Sequence, residues 1–149
     1  MKPAVAAEDT IVQEILIHAP AEKIFSALTD PQALLKWWGV EGKFRVIRLD
    51  SDLRPGGKWF MELTSSTCAS KTVHGEYRRI DPPNALTYSW IRDQISPLVT
   101  EVRWDLEREG ASTRVRVTHS GLVTPELRST HDGWPIILGL LQAHAEGRS

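Results

Sequence analysis

The sequence predicts an α+β domain: a curved antiparallel sheet of about six to seven strands wrapped around a long C-terminal helix, with two short helices after the first strand. Three observations carry this prediction. Runs between residues 44 and 119 alternate apolar and polar residues with period two and are separated by turn signals. Trp134, Ile137, Leu138 and Leu141 fall at i, i+3, i+4 and i+7, the spacing of one apolar helical stripe. The six tryptophans are spread over both kinds of element: Trp37 and Trp38 end a helical pattern, Trp59, Trp90 and Trp104 lie in separate strand runs, and Trp134 opens the last helix. Aromatic bulk on several strands and on a helix predicts one shared apolar interior.

The elements follow in order. Residues 1–9 lack periodicity and read as a flexible tail, leaving 10–149 as a single domain. Residues 10–18 are β-branched and partly alternating, which fits a strand. Pro20 is placed to start a helix over 21–28, with Ile24, Phe25 and Leu28 on one face. Asp30-Pro31 reads as an N-cap followed by proline at N1, and Leu34, Leu35, Trp37 and Trp38 fill the second helix until Gly39 ends it. Strands are expected at 44–50 and 58–64, joined through Pro55-Gly56-Gly57, with Trp59, Met61 and Leu63 on one face. The next runs are 71–80, with Val73, Gly75 and Tyr77 together, and 86–91, with Leu86, Tyr88 and Trp90 together. Val102, Trp104 and Leu106 alternate with charged neighbours. Glu109-Gly110 turns the chain into Val115, Val117 and His119. Thr124-Pro125-Glu126 reads as a helix start, and Pro135 predicts a kink, a break or a helix restarting near Asp132.

Composition bounds the function. A chain of 149 residues with 41% hydrophobic and 25% charged residues is large enough for one proper core. A formal net charge of -1 points neither to nucleic acid nor to an acidic membrane surface. The single cysteine, Cys68, leaves no intrachain disulfide and no multi-cysteine metal site. No long apolar run or leader pattern is present, so no membrane span is expected and a cytoplasmic location is the default. No GxSxG, P-loop, GxGxxG or HExxH occurs. No cofactor or metal is therefore called for, and no residue is assigned as catalytic.

The candidate ligand-binding residues are the inward-facing ones: Trp38, Trp59, Met61, Gly75, Tyr77, Tyr88, Trp90, Trp104, His119, Trp134 and Leu138. Large side chains with polar tips border pockets, and each of them is also ordinary core material. Gly75 leaves either a side-chain-sized gap or a bulge that bends the sheet. His119 is either a general acid, base or orienter of a ligand carbonyl, or, the commoner case, a histidine bonded to backbone near the sheet end. His74 faces outward, and His131, near Trp134, either approaches the cavity mouth or, the commoner case, sits on the helix surface. Cys68 in its polar loop lacks an identified base. Glu62, Glu101, Asp105 and Glu107 read as a solvated face opposed by Arg103, Arg114 and Arg116 in cross-strand pairs, worth about 0–1 kcal/mol each.

Several phrases together resemble a known family. AEKIFSALTDPQALLKWWG (21–39), DLRPGGKWFMEL (52–63), HGEYRRIDPPNALTYSW (74–90), VTHSGL (117–122) and HDGWPIILGLLQ (131–142) are similar to the START-like (SRPBCC) superfamily, with the helix-grip fold of birch-pollen allergens. The nearest branch is the homologues of the activator of the heat-shock-protein-90 ATPase. Pro135 departs from that pattern. The resemblance implies a cavity between the inner sheet face and the terminal helix, and superfamily roles that include lipid or hormone carriage, polyketide cyclisation and chaperone co-factors in stress response. The fold does not choose among them.

Three readings are open. The first, a small apolar or aromatic ligand in an internal cavity, requires a pocket of roughly 300 Å³. The second is a cyclase- or hydrolase-type enzyme, which needs His119 to converge with Tyr88 or Glu62. The third is an interaction module with a protein partner such as a chaperone, which needs an exposed apolar patch around Trp37 and Trp38; the eukaryotic activators also carry an additional domain. Monomer and homodimer both remain open, an edge strand being able to pair.

Overall fold

A computed structural model of the chain describes residues 9–40, 44–65, 71–92, 96–124 and 133–147. The elements run β1 (Ile11–Ile17), α1 (Ala21–Thr29), α2 (Pro31–Trp37), β2 (Gly39–Val40), β3 (Phe44–Ser51), β4 (Lys58–Ser65), β5 (Lys71–Asp81), β6 (Ala85–Arg92), β7 (Ser96–Glu109), β8 (Ser112–Ser120) and α3 (Trp134–Ala145). The strands form one curved antiparallel sheet in the order β1-β8-β7-β6-β5-β4-β3-β2. Thus β3 to β8 are a meander, and β1 closes the order by pairing with the last strand. The two-residue β2 brings the strands to eight, and it is too short for period-two alternation to reveal.

The two short helices form one unit. Asp30 accepts from Gln32 N at 2.9 Å as the α2 N-cap, with Pro31 in the first turn, while its own N–H closes α1 on the Ser26 carbonyl. Trp37 Nε1 donates to the Ala27 carbonyl at 2.8 Å and so fastens α2 to α1. Ile24, Phe25, Leu28, Leu34, Trp37 and Trp38 are all buried beneath this unit. The Pro55-Gly56-Gly57 turn is tied down as well: Gly56 N donates to the Tyr77 carbonyl, and Tyr77 N donates to the Gly57 carbonyl, both at 2.8 Å. A turn at the β3–β4 junction thereby fixes the strand position of Tyr77.

Pro135 does not kink α3. Gly133 is the N-cap and Pro135 falls in the first turn, where its missing N–H has no partner to lose. The helix starts at Trp134, near the restart expected around Asp132. Pro125 and Glu126 of the expected helix start, His131, the loop holding Cys68 and the tail over 1–8 lie outside the described residues. Buried faces match the alternation along β5 to β8, with Val102, Trp104, Val115, Val117 and His119 at 0% exposure. Among the described residues no helix is long and apolar enough to cross a membrane.

Candidate functional site

The interior is an aromatic cluster that borders a small void. Trp59 meets Tyr88 edge-on at 5.4 Å between ring centres and Trp90 at 5.6 Å; Tyr77 meets Tyr88 edge-on at 6.1 Å. Trp38, at the C-cap of α2, lies over Trp90 at 6.3 Å and against Trp134 at 6.1 Å. Such offset and edge-to-face pairs fill space well. The cavity they leave, under α1 and α2, has a volume of about 30 Å³. That is space for a single water-sized group and far below the roughly 300 Å³ of a drug-sized pocket. At this place the tryptophans able to border a hollow take up most of it themselves.

The lining joins six expected residues, Trp38, Trp59, Met61, Tyr77, Tyr88 and Trp90, with Leu28, Leu34 and Leu49. The three leucines are not among the sequence candidates. Leu28 and Leu34 carry only the signal of helix-face packing, and Leu49 sits in a strand whose alternation is broken by a register shift between Val46 and Arg48. Leu49 is the one lining residue that is only half-buried, so the void approaches the surface there. No charged side chain among the described residues lines it.

Trp104, His119, Trp134 and Leu138 are buried and do not line this void. Both ring nitrogens of His119 meet side chains. Its Nε2 lies 2.8 Å from Thr100 Oγ1, and its Nδ1 accepts from Trp134 Nε1 at 3.2 Å. Gly75 leaves no gap either. A Cβ there would stand 1.9 Å from the Ser89 carbonyl oxygen and 2.7 Å from Trp59 Nε1. The residue is a close-approach point, where Ser89 Oγ takes the Glu76 N–H at 2.8 Å and the β5–β6 register shifts nearby.

The polar atoms of the site are few. Tyr77 Oη and Ser51 Oγ share a hydrogen bond of 2.8 Å, and Tyr88 Oη accepts from Trp104 Nε1 at 3.0 Å. Burial raises both phenols above their ordinary value, Tyr88 strongly, so both stay protonated. Trp59 Nε1 is buried and has no hydrogen-bond partner.

The enzyme reading loses its constellation. Tyr88 is engaged by Trp104, His119 by Thr100 and Trp134, and Glu62 stands opposite Arg48 and Thr72 in the strand registers, away from both. The interaction reading loses its patch, because Trp37 and Trp38 are buried at 3% and 6% exposure. A solvent groove of about 750 Å³ on the outer sheet face is lined by arginines already paired with acids. Arg103 bonds Asp105, Arg114 bonds Glu109, and Arg116 bonds Glu14. Asp105 and Glu107 stand opposite Arg116 and Arg114 in the β7–β8 register, as the sequence suggests, while the ion pairs run across strands from Arg114 to Glu109 and from Arg116 to Glu14, and along one strand from Arg103 to Asp105.

Residues 18–146 match the model of the family "Activator of Hsp90 ATPase homolog 1-like protein". The chain belongs to this family. The fold of this activator-homologue family, within the SRPBCC superfamily, recurs in solved structures. A Nitrosomonas europaea protein superposes with a TM-score of 0.81 at 19% identity, over 96% of this chain and 97% of that one. A Chromobacterium violaceum protein gives 0.78 at 24% identity, over 94% and 99%. CalU16 from Micromonospora echinospora gives 0.71 at 25% identity, over 91% and 75%. No curated protein matches the chain.

Proposed function

We propose that this activator-homologue protein binds a small neutral apolar or aromatic molecule between the concave sheet face and the α1–α2 unit, with the aromatic cluster closed over the site when it is empty. The observation that carries the reading is the wall itself. Nine side chains from α1, α2 and four strands converge on one void, six of them aromatic or thioether, and none charged. Aromatic faces and a flexible methionine suit planar apolar ligands, and an uncharged wall disfavours ions. The family's superfamily, whose members commonly bind hydrophobic ligands, agrees with this reading. A void of about 30 Å³ means that the ligand is admitted by displacement of the roof residues Leu28, Leu34 and Trp38 rather than into standing space.

The test is a titration of intrinsic tryptophan fluorescence and thermal midpoint with two-ring aromatic compounds, on the wild type and on Leu49→Trp. Saturable quenching and a rising midpoint in the wild type, lost in the folded Leu49→Trp protein, are the expected results. An unmoved midpoint and flat fluorescence across the compounds would overturn the reading. So would binding that is indifferent to Leu49→Trp.

A further inference from the structure

The chemistry of the void's wall selects among apolar ligands. Trp59 is 6% exposed and lines the cavity, and its Nε1 makes no hydrogen bond. Buried polar groups are nearly always satisfied, so an indole N–H left bare inside an aromatic core is a departure that needs a cause. Gly75 provides the local reason. The Trp59 nitrogen stands over that residue, 2.7 Å from where a Cβ would be, and glycine offers no side chain to cover it. The pairing of Trp59 with Gly75 across β4 and β5 holds this arrangement in register.

The other polar atoms of the wall are donors too, or are committed. Tyr88 spends an acceptor lone pair on Trp104 and keeps its own proton to give. Tyr77 is engaged with Ser51. Indole can only donate. A ligand that satisfies this wall therefore brings an acceptor. With no cation in the lining, the acceptor is neutral, because a buried anion without a counter-charge is costly.

Building on the ligand-binding reading above, we infer that Trp59 is the specificity-determining donor of the site, and that its ligand is an aromatic molecule carrying a neutral carbonyl oxygen held by Trp59 Nε1–H. Purely hydrocarbon ligands leave that donor unsatisfied, and carboxylates are rejected by the uncharged wall.

The experiment uses two probes of nearly equal shape, indanone and indane, which differ in one carbonyl. Each is titrated calorimetrically into the wild type and into Trp59→Phe, which keeps a ring and removes the N–H. The wild type is expected to bind indanone about tenfold more tightly than indane, the factor of one ordinary hydrogen bond. In Trp59→Phe the indanone-to-indane preference disappears, whatever change the smaller ring brings to the affinity for both probes. As a measurement that needs no variant, the Trp59 indole ¹⁵N–¹H resonance shifts downfield on adding indanone and not on adding indane. Binding of both probes without preference, or a preference that survives in Trp59→Phe, overturns the donor assignment and leaves the pocket standing. Binding of neither probe to the wild type overturns the pocket, and the assignment with it.

Discussion

Trp134, the first residue of α3, donates its indole N–H to Nδ1 of His119 on β8 at 3.2 Å, and this bond fixes the proton of a fully buried imidazole. Thr100 Oγ1 gives its own proton to the Trp90 carbonyl at 2.8 Å, so towards His119 Nε2 it can only accept. The ring is therefore the neutral Nε2–H tautomer, and three strands and a helix end share one directed chain of bonds. Trp134→Phe is expected to cost about 1–3 kcal/mol by leaving Nδ1 bare. Urea denaturation measures that loss, and imidazole ¹⁵N shifts should report the Nε2–H form in the wild type.

Gly75→Ala should be among the most damaging single-atom changes in the chain. Its methyl would overlap the Ser89 carbonyl at 1.9 Å, a backbone atom that cannot rotate away. A loss above about 3 kcal/mol is expected, at the upper end of overpacking costs. Equilibrium denaturation beside wild type decides it, and a near-neutral result would mean that β5 and β6 separate easily.

Two changes in α3 separate a proline in the first turn from a mid-helix proline. At its observed place, Pro135→Ala should cost no more than about 1 kcal/mol, acting through the unfolded chain. A mid-helix proline would instead give a gain of about 3 kcal/mol on removal. Gly139 lies inside the helix, and a methyl group added there would meet nothing within 4 Å. It should accept alanine with a gain of about 0.5–1 kcal/mol. Thermal midpoints of the two variants suffice.

His144 predicts an acid limb. Its imidazole stacks on Trp37 at 6.5 Å, and burial, then the charges of Lys23 and Lys36, hold its pKa below the ordinary 6.5. The unfolded chain thus takes up the proton first as pH falls. Stability is complete above about pH 6.5 and declines below it, towards the depressed folded-state value. His144→Gln should flatten that decline relative to wild type in thermal scans between about pH 7.5 and 5. An unchanged slope would move the acid sensitivity elsewhere.

The strands and the first two helices are legible in the sequence because their signals are local. Asp30-Pro31 caps α2 as its residue types imply, and the β7–β8 alternation maps directly onto burial. The void is not legible, for a reason of volume. Period two says which face Trp59, Tyr88 and Trp90 take, but whether their rings enclose space or consume it depends on ring angles such as the 72° and 45° they adopt. Gly75 is hidden similarly: composition marks a missing side chain, and only the fold shows that the Ser89 backbone already occupies its place. Leu49 is masked by the β3 register shift.

The shared cap at Asp30 and the Trp37–Ala27 bond make α1 and α2 a single rigid piece. That piece supplies Leu28, Leu34 and Trp38 to the void, whereas α3 supplies nothing to it. The same piece meets α3 through Trp38 against Trp134 and Trp37 against His144, so it is held on a second side. Under the proposed function, the freedom of this two-helix piece to tilt against those contacts sets how large a guest is admitted.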